Sequence, residues 1–191
     1  MSLFYLKEPN AIFSHVPQTG GLTIRDGLWR KNYDGPLHTW EPEYDKMFSF
    51  AFVRHPLDRL VSAFYSLTEG STSRKPQHHA MTLEQFCEIT LLCKDPHKTD
   101  SIAHHTYPMS WDINYLAKVK FIGRYERYTK DLVSLMKHLG IHKKIPELHV
   151  SVRYDNWEDT LQPLSSEVFE QLVDFYREDF ERFGYEMPTG R

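Results

Sequence analysis

Cysteine is scarce: Cys87 and Cys93 are the only two in 191 residues. They lie too close together, around one helical pattern, to build a framework of disulfides, so reduced and partly buried thiols are expected. Long apolar runs are also missing. No stretch approaches the roughly 18 apolar residues of a membrane span, and the opening MSLFYLKEPN has neither a basic segment leading into an apolar run nor a small-residue cleavage site. A soluble, cytoplasmic chain is expected. Neither sign of charge dominates, with 23 Lys and Arg against 26 Asp and Glu and a formal net charge of -3. A broad attraction to nucleic acid or to an anionic membrane is thereby excluded, and an anionic ligand needs a local site.

Several motifs are absent too. GxxxxGKS/T does not occur, nor does any clear magnesium-binding carboxylate, which argues against a nucleotide-dependent phosphotransferase. HExxH and CxxC are also missing, and the pairs His78-His79 and His104-His105 have no metal-ligand spacing around them, so no metal site is expected.

Hydrophobic residues make up 40% and aromatics 14% of the chain, with charges of both signs interspersed, which is globular composition. The length suits a single domain over residues 1–191. Ala11 to Val16 reads as a short buried strand ending at Pro17, followed by a helix carrying Leu22, Ile24, Leu28 and Trp29. Phe48 to Val53 (FSFAFV) suits a central parallel strand covered on both faces, and Pro56 then opens a helix with Leu57, Leu60, Val61, Phe64 and Leu67 on one face. Glu69 to His79 is a polar surface loop. Thr82 and Gln85 form a capping-box signature before a helix ending near Leu92. Val119 to Gly123 predicts another strand, Thr129 to Leu139 a helix ended by Gly140, and Val168 to Phe183 one last amphipathic helix, capped by Ser165 or Ser166 and ended by Gly184. Alternating strands and helices imply an α/β fold, a three-layer sandwich around a central parallel sheet, with ligands at the carboxyl ends of the strands.

Two segments lie at such ends. In IFSHVPQTGGLT (Ile12 to Thr23), Thr19, Gly20 and Gly21 fall between a strand and a helix, where backbone N–H groups and the helix dipole attract an anion. In FAFVRHPLDRLVSAFYS (Phe50 to Ser66), Arg54 ends the strand and Ser62 follows two helical turns later. A guanidinium can fork onto a phosphate while a serine hydroxyl donates beside it.

Together these segments resemble the sulfotransferase superfamily, in particular its carbohydrate-type, membrane-associated-like branch. There a loop like PKTGGTS binds a 5′-phosphosulfate and a stretch like FVRNPxxRxxSxY binds a 3′-phosphate. FIGRYERYTKDL (Phe121 to Leu132) and DFYREDFERFGYE (Asp174 to Glu186) are similar to the family's later strand and its C-terminal helix. The resemblance implies a P-loop-NTPase-like phosphate-binding loop and 3′-phosphoadenosine 5′-phosphosulfate as donor. It implies no required metal, no nucleic-acid partner, and a carbohydrate or other small molecule as acceptor. Gln18, Thr19, Gly20, Gly21, Leu22 and Thr23 would surround the phosphosulfate, and Arg54 with Ser62 would hold the 3′-phosphate. Tyr125, Ser151 and Arg153 are further nucleotide candidates. His38, in GPLHTWEPEYDK, stands where the family often has a histidine, and a neutral imidazole suits removal of the acceptor's proton near neutral pH. His104 and His105, in DSIAHHTYPMSW, fall where the family lines its acceptor pocket.

Two positions depart from that pattern. Gln18 replaces a lysine that would contact the transferred group, and an amide donates hydrogen bonds without charge. That loss is worth about 2–4 kcal/mol of transition-state stabilisation unless another cation, such as Arg25 or Lys46, replaces it. It also motivates a second reading, a nucleotide-binding module that keeps the donor site without turnover. His55 replaces the Asp or Asn that would cap the helix at Pro56. The basic residues Arg74, Lys75, Lys94 and Lys98 offer guidance for an anionic acceptor, or a solvated face.

Overall fold

The computed structural model describes residues 2–29, 32–69, 80–94, 101–145 and 154–189. In chain order these form β1 (Ser2–Leu6), β2 (Ala11–His15), a π-helical turn (Thr23–Leu28), β3 (Tyr33–Leu37), a 3-10 turn (Pro42–Lys46), β4 (Phe48–Val53), α1 (Pro56–Thr68), α2 (Leu83–Leu91), α3 (Ser101–Thr106), α4 (Ile113–Leu116), β5 (Phe121–Arg124), α5 (Tyr128–His138), α6 (Trp157–Leu161), α7 (Ser166–Phe175) and α8 (Arg177–Phe183). They group into two compact units, Met1–Arg54 with Asp112–His149, and His55–Trp111 with Val150–Arg191. The expected loop from Glu69 to His79 lies, apart from Glu69, outside the described residues.

The first unit is built on a five-stranded sheet of order β3-β1-β2-β4-β5. It is mixed, not wholly parallel as the strand-helix alternation suggested: β2, β4 and β5 are parallel, but β1 runs antiparallel to both β2 and β3. A tight turn over Lys7 to Asn10 makes β1 and β2 a hairpin, and Asn10 takes the left-handed backbone (φ 66°) that its short polar side chain tolerates. Neither β1 nor β3 was expected from the sequence. β3 reads YDGPL, and Pro36 is tolerated because β3 is an edge strand with one unpaired side.

β4 alternates large and small residues. Phe48, Phe50 and Phe52 face a core with Phe4, Phe13, Ile24, Leu28, Trp29, Leu132 and Leu135, while Ser49, Ala51 and Val53 on the opposite face are also buried. Burial on both faces is why this strand has no polar alternation. Phe13 and Phe50 stack at 5.0 Å across the parallel pair β2–β4. α5 contributes Tyr128, Leu132, Leu135 and Met136, spaced at i, i+4, i+7 and i+8 to form one apolar stripe. Gly140, at φ 66°, ends it as expected.

The second unit is helical, with α1 packed on α3 and α6, and α2 on α3 and α7. The capping box of Thr82 and Gln85 is present in both directions. Ser165 caps α7 by accepting from the Val168 amide at 3.3 Å, and Gly184 ends α8 at φ 60°. The expected single C-terminal helix is nevertheless broken at Tyr176, whose backbone leaves helical geometry (φ -100°, ψ 10°). The reason lies in the polar core beneath. The buried Tyr176 hydroxyl donates to the Thr106 carbonyl, and Asp179, on the next turn, accepts from the Met109 and Ser110 amides at 2.8 and 2.7 Å. Arg59, 1% exposed, donates to the carbonyls of His105, Thr106 and Tyr107. One buried cation thus receives the carbonyl end of α3 and one buried carboxylate receives the amides that follow. Burial holds the Asp179 carboxyl above its ordinary range, opposed mainly by the Arg59 charge.

Cys87 and Cys93 are both buried, and burial pushes the Cys87 thiol up to about 12, where it is not a nucleophile at neutral pH. Among the described residues no helix is long and apolar enough to cross a membrane.

Arg59→Ala is expected to destabilise the chain by about 2–4 kcal/mol, because the carbonyls of His105, Thr106 and Tyr107 lose their buried donor and Asp179 loses the charge that opposes its burial. Urea denaturation measures this, and a loss below 1 kcal/mol would show that the buried Arg59 guanidinium is not a stabilising feature.

Candidate functional site

β1 runs opposite to its neighbours, so β2, β3, β4 and β5 all end at the same edge of the sheet. That edge carries the turn after β2, His38 after β3, Arg54 after β4 and Tyr125 after β5. The turn from Val16 to Leu22 is held from within. The Thr19 hydroxyl, fully buried, donates to the Val16 carbonyl at 2.8 Å, and the Thr23 amide donates to the Gly20 carbonyl at 3.1 Å. Gln18 and Gly20 take left-handed backbone (φ 68° and 82°) on either side of Thr19, which does not. Such alternation turns successive N–H groups toward one side, the concave geometry that receives an anion.

The two glycines also meet a packing constraint. A Cβ on Gly20 would lie 2.5 Å from Cε2 of Tyr128, and one on Gly21 would overlap the His15 ring. Glycine is needed here so that the turn can lie against its own unit. Tyr128, the first residue of α5, seals the contact by donating its hydroxyl to the Gly20 carbonyl at 2.8 Å. Burial pushes the Tyr128 phenol well above its ordinary range, so it stays a donor. Neither Tyr128 nor His15 was evident as a site residue, although a tyrosine opening the apolar face of the helix after a strand was the available signal for the first.

Arg54 is 7% exposed, donates to the Gln18 carbonyl at 3.1 Å, and lies with its guanidinium 4.0 Å from the centre of the Tyr125 ring. Gln18, Thr19, Gly20, Gly21, Leu22, Thr23, Arg54 and Tyr125 are therefore brought together in the first unit. His38 is exposed. Leu37 pairs with Leu3 and Leu3 with Ser14, so His38 starts just past the level of Ser14, two strands away, or roughly 10 Å across the sheet.

Other expected residues lie elsewhere. Ser62, half-buried on α1, and His104 and His105 on α3 belong to the second unit, and Ser151 and Arg153 lie outside the described residues. His105 turns its Nδ1 to the Ser101 carbonyl at 2.7 Å, a contact within its own helix, and desolvation lowers its pKa. His55 forms no cap. Its ring stacks on Trp157 at 4.9 Å and meets the edges of Phe180 and Tyr185, so the departure at this position serves aromatic packing.

The two cations named as substitutes for a lysine at position 18 are placed differently. Arg25 pairs with the neighbouring Asp26 at 2.9 Å, and Lys46 precedes β4, at the opposite edge of the sheet from the turn. Of the described residues, no group of three His, Cys, Asp or Glu is placed to hold a metal ion.

A strand, a turn of alternating backbone hand and an arginine after the neighbouring parallel strand agree with one further observation. A sequence model of the sulfotransferase family matches residues 16–186. The chain belongs to the sulfotransferase family. Searches of the curated proteins and of the solved structures found no match. In this sulfotransferase the matched span begins at Val16, the residue that opens the turn, and takes in both units.

Gly21→Ala is expected to cost about 1–3 kcal/mol by overpacking against His15, and most of that cost should disappear in the His15→Ala background. A double-mutant cycle in urea reads the coupling; additive effects would mean that the ring does not dictate the glycine. His105 supplies a pH test. Its folded pKa lies below the ordinary 6.5, so its contribution is present above pH 6.5 and is lost as pH falls from there through the folded value. The stability of wild type relative to His105→Gln, which keeps an N–H for Ser101, should therefore decline on acidification below pH 6.5. A flat difference would contradict the burial argument.

Proposed function

We propose that this sulfotransferase moves a sulfuryl group from 3′-phosphoadenosine 5′-phosphosulfate to a hydroxyl, or an amine, of a carbohydrate or other small acceptor. The observation that carries this reading is the turn Val16 to Leu22. Its backbone alternates hand at Gln18 and Gly20, it is fixed from behind by Tyr128, and its Gln18 carbonyl is tied to Arg54. A phosphosulfate group fits such a turn because N–H donors fixed before binding need no reorganisation to meet a charged oxygen. When bound, the donor supplies an activated sulfuryl group, whose S–O bond to the 5′-phosphate breaks as the acceptor oxygen bonds to sulfur.

The residues divide the remaining work. Gln18 to Thr23 surround the phosphosulfate, and their amides stabilise charge on the departing phosphate oxygen. Gln18 adds an uncharged donor there. Arg54, with Ser62, holds the 3′-phosphate, and Tyr125, Ser151 and Arg153 complete the nucleotide site. The Tyr125 ring, its centre 4.0 Å from the Arg54 guanidinium carbon, helps to hold the fork that meets the phosphate. The exposed His38, at the same sheet edge as the turn, takes the acceptor's proton, and His104 and His105 contribute to acceptor binding. No metal is needed for a displacement in which positioning, proton removal and leaving-group stabilisation all come from the protein.

Saturation with the desulfated product, 3′-phosphoadenosine 5′-phosphate, is expected to stabilise the chain by about 2.7 kcal/mol at one hundred times its Kd. ATP should do far less, and Arg54→Ala and Ser62→Ala should reduce the shift. A bisphosphate that produces no thermal shift in wild type would refute the donor assignment. In a labelled-sulfate transfer assay, Gln18→Lys should raise turnover by about tenfold or more, and His38→Ala should reduce it. Bisphosphate binding without turnover in either wild type or Gln18→Lys would favour a module that only binds the nucleotide.

A further inference from the structure

Two residues beyond His38, Trp40 sits in a cluster of aromatic rings outside the buried cores. The Tyr115 ring lies 6.4 Å away at an interplanar angle of 29°, and Tyr44 meets it edge-on at 6.1 Å. All three rings are half-buried. The indole N–H donates to Asp45 at 2.9 Å, and the Lys118 ammonium lies 5.4 Å from the ring centre. The Tyr115 hydroxyl donates to the His38 carbonyl at 3.1 Å, so the cluster is attached to the backbone of the proposed base.

Core packing does not account for these rings, which cover part of the crossover from β3 to β4 and remain accessible to water. Their chemistry suits a particular ligand. An aromatic face is electron-rich, and a pyranose ring offers a face of C–H bonds to lie on it with hydroxyls around its rim. The Asp45 carboxylate, which accepts from the indole N–H, and the Lys118 ammonium, 5.4 Å from the centre of the Trp40 ring, provide an acceptor and a donor beside the rings. The same stretch carries Glu41, Glu43 and Asp45 against Lys46 and Lys118, which disfavours a polyanionic glycan. A fully apolar alcohol would leave the rim unsatisfied.

We infer that the Trp40–Tyr115 pair is the acceptor platform of this enzyme, holding a neutral pyranoside so that one of its hydroxyls meets His38. This rests on the sulfotransferase reading above and names the acceptor class and the residues that recognise it.

The test uses methyl β-D-glucopyranoside, methyl β-D-galactopyranoside and methyl N-acetyl-β-D-glucosaminide, with methyl β-D-glucuronide as the anionic comparison. Binding is followed by saturation-transfer NMR in the presence of 3′-phosphoadenosine 5′-phosphate. At least one neutral glycoside should bind wild type. Trp40→Ala should weaken it at least tenfold, Trp40→Phe should retain most of the affinity, and the thermal shift given by the bisphosphate should be the same in all three proteins. Should Trp40→Ala fail to fold, as reported by loss of that shift, Tyr115→Leu takes its place with the same expectation.

The inference is overturned if wild type binds the bisphosphate but no neutral glycoside, if the Trp40 variants bind as wild type does, or if the glucuronide binds best. Failure of the bisphosphate itself would remove the donor reading and this inference with it.

Discussion

The hydroxyl of Tyr128 on the Gly20 carbonyl is the contact on which the site depends. It joins the start of α5 to the turn after β2, and it works only because Gly20 has no side chain and a left-handed backbone. With the turn fixed there, the Gln18 carbonyl is presented to Arg54, and the Arg54 guanidinium in turn lies over the Tyr125 ring. Residues from three strand ends are thus ordered by one phenol. Preorganisation of this kind is what transition-state stabilisation requires, because donors already in place lose little on binding.

The sheet supplies the second requirement, a common edge. Reversing β1 sends β3 in the same direction as β2, so a histidine on an edge strand ends at the level of the turn despite lying outside the parallel core. The polar core of the second unit works differently. There Arg59 and Asp179 meet main-chain groups at the two ends of a bend between α3 and the residues after it, which lets the chain reverse in the interior without stranded carbonyls or amides.

Much of this was legible in the residues and some was not. β4 could be read because burial on both faces leaves an unbroken apolar run, and α1 because Pro56 and a regular apolar stripe mark its start and its face. The strand-turn-helix around Gly20 was visible, but the helix proved to be a single π-helical turn, since hydrophobic spacing over six residues does not distinguish helix types. β1 and β3 were missed because one is a short run beside the N-terminus and the other contains Gly-Pro, a pairing that only an edge position permits. The break at Tyr176 was hidden because a hydroxyl seeking a carbonyl 70 residues away leaves no local periodic trace. Of the expected site residues, Gln18 to Thr23, Arg54 and Tyr125 prove to be neighbours in the first unit. Tyr128 and His15 were not, because what they support is backbone, and backbone contacts are silent in side-chain patterns.

At position 18 the main chain is held: Arg54 donates to the carbonyl, and the turn's own bonds fix its hand. Glutamine and lysine codons differ by a single base, and either residue can occupy this backbone without rebuilding the turn. Under the proposed function, one mutation at position 18 therefore changes the charge offered to the donor while the main chain of the turn keeps its bond to Arg54.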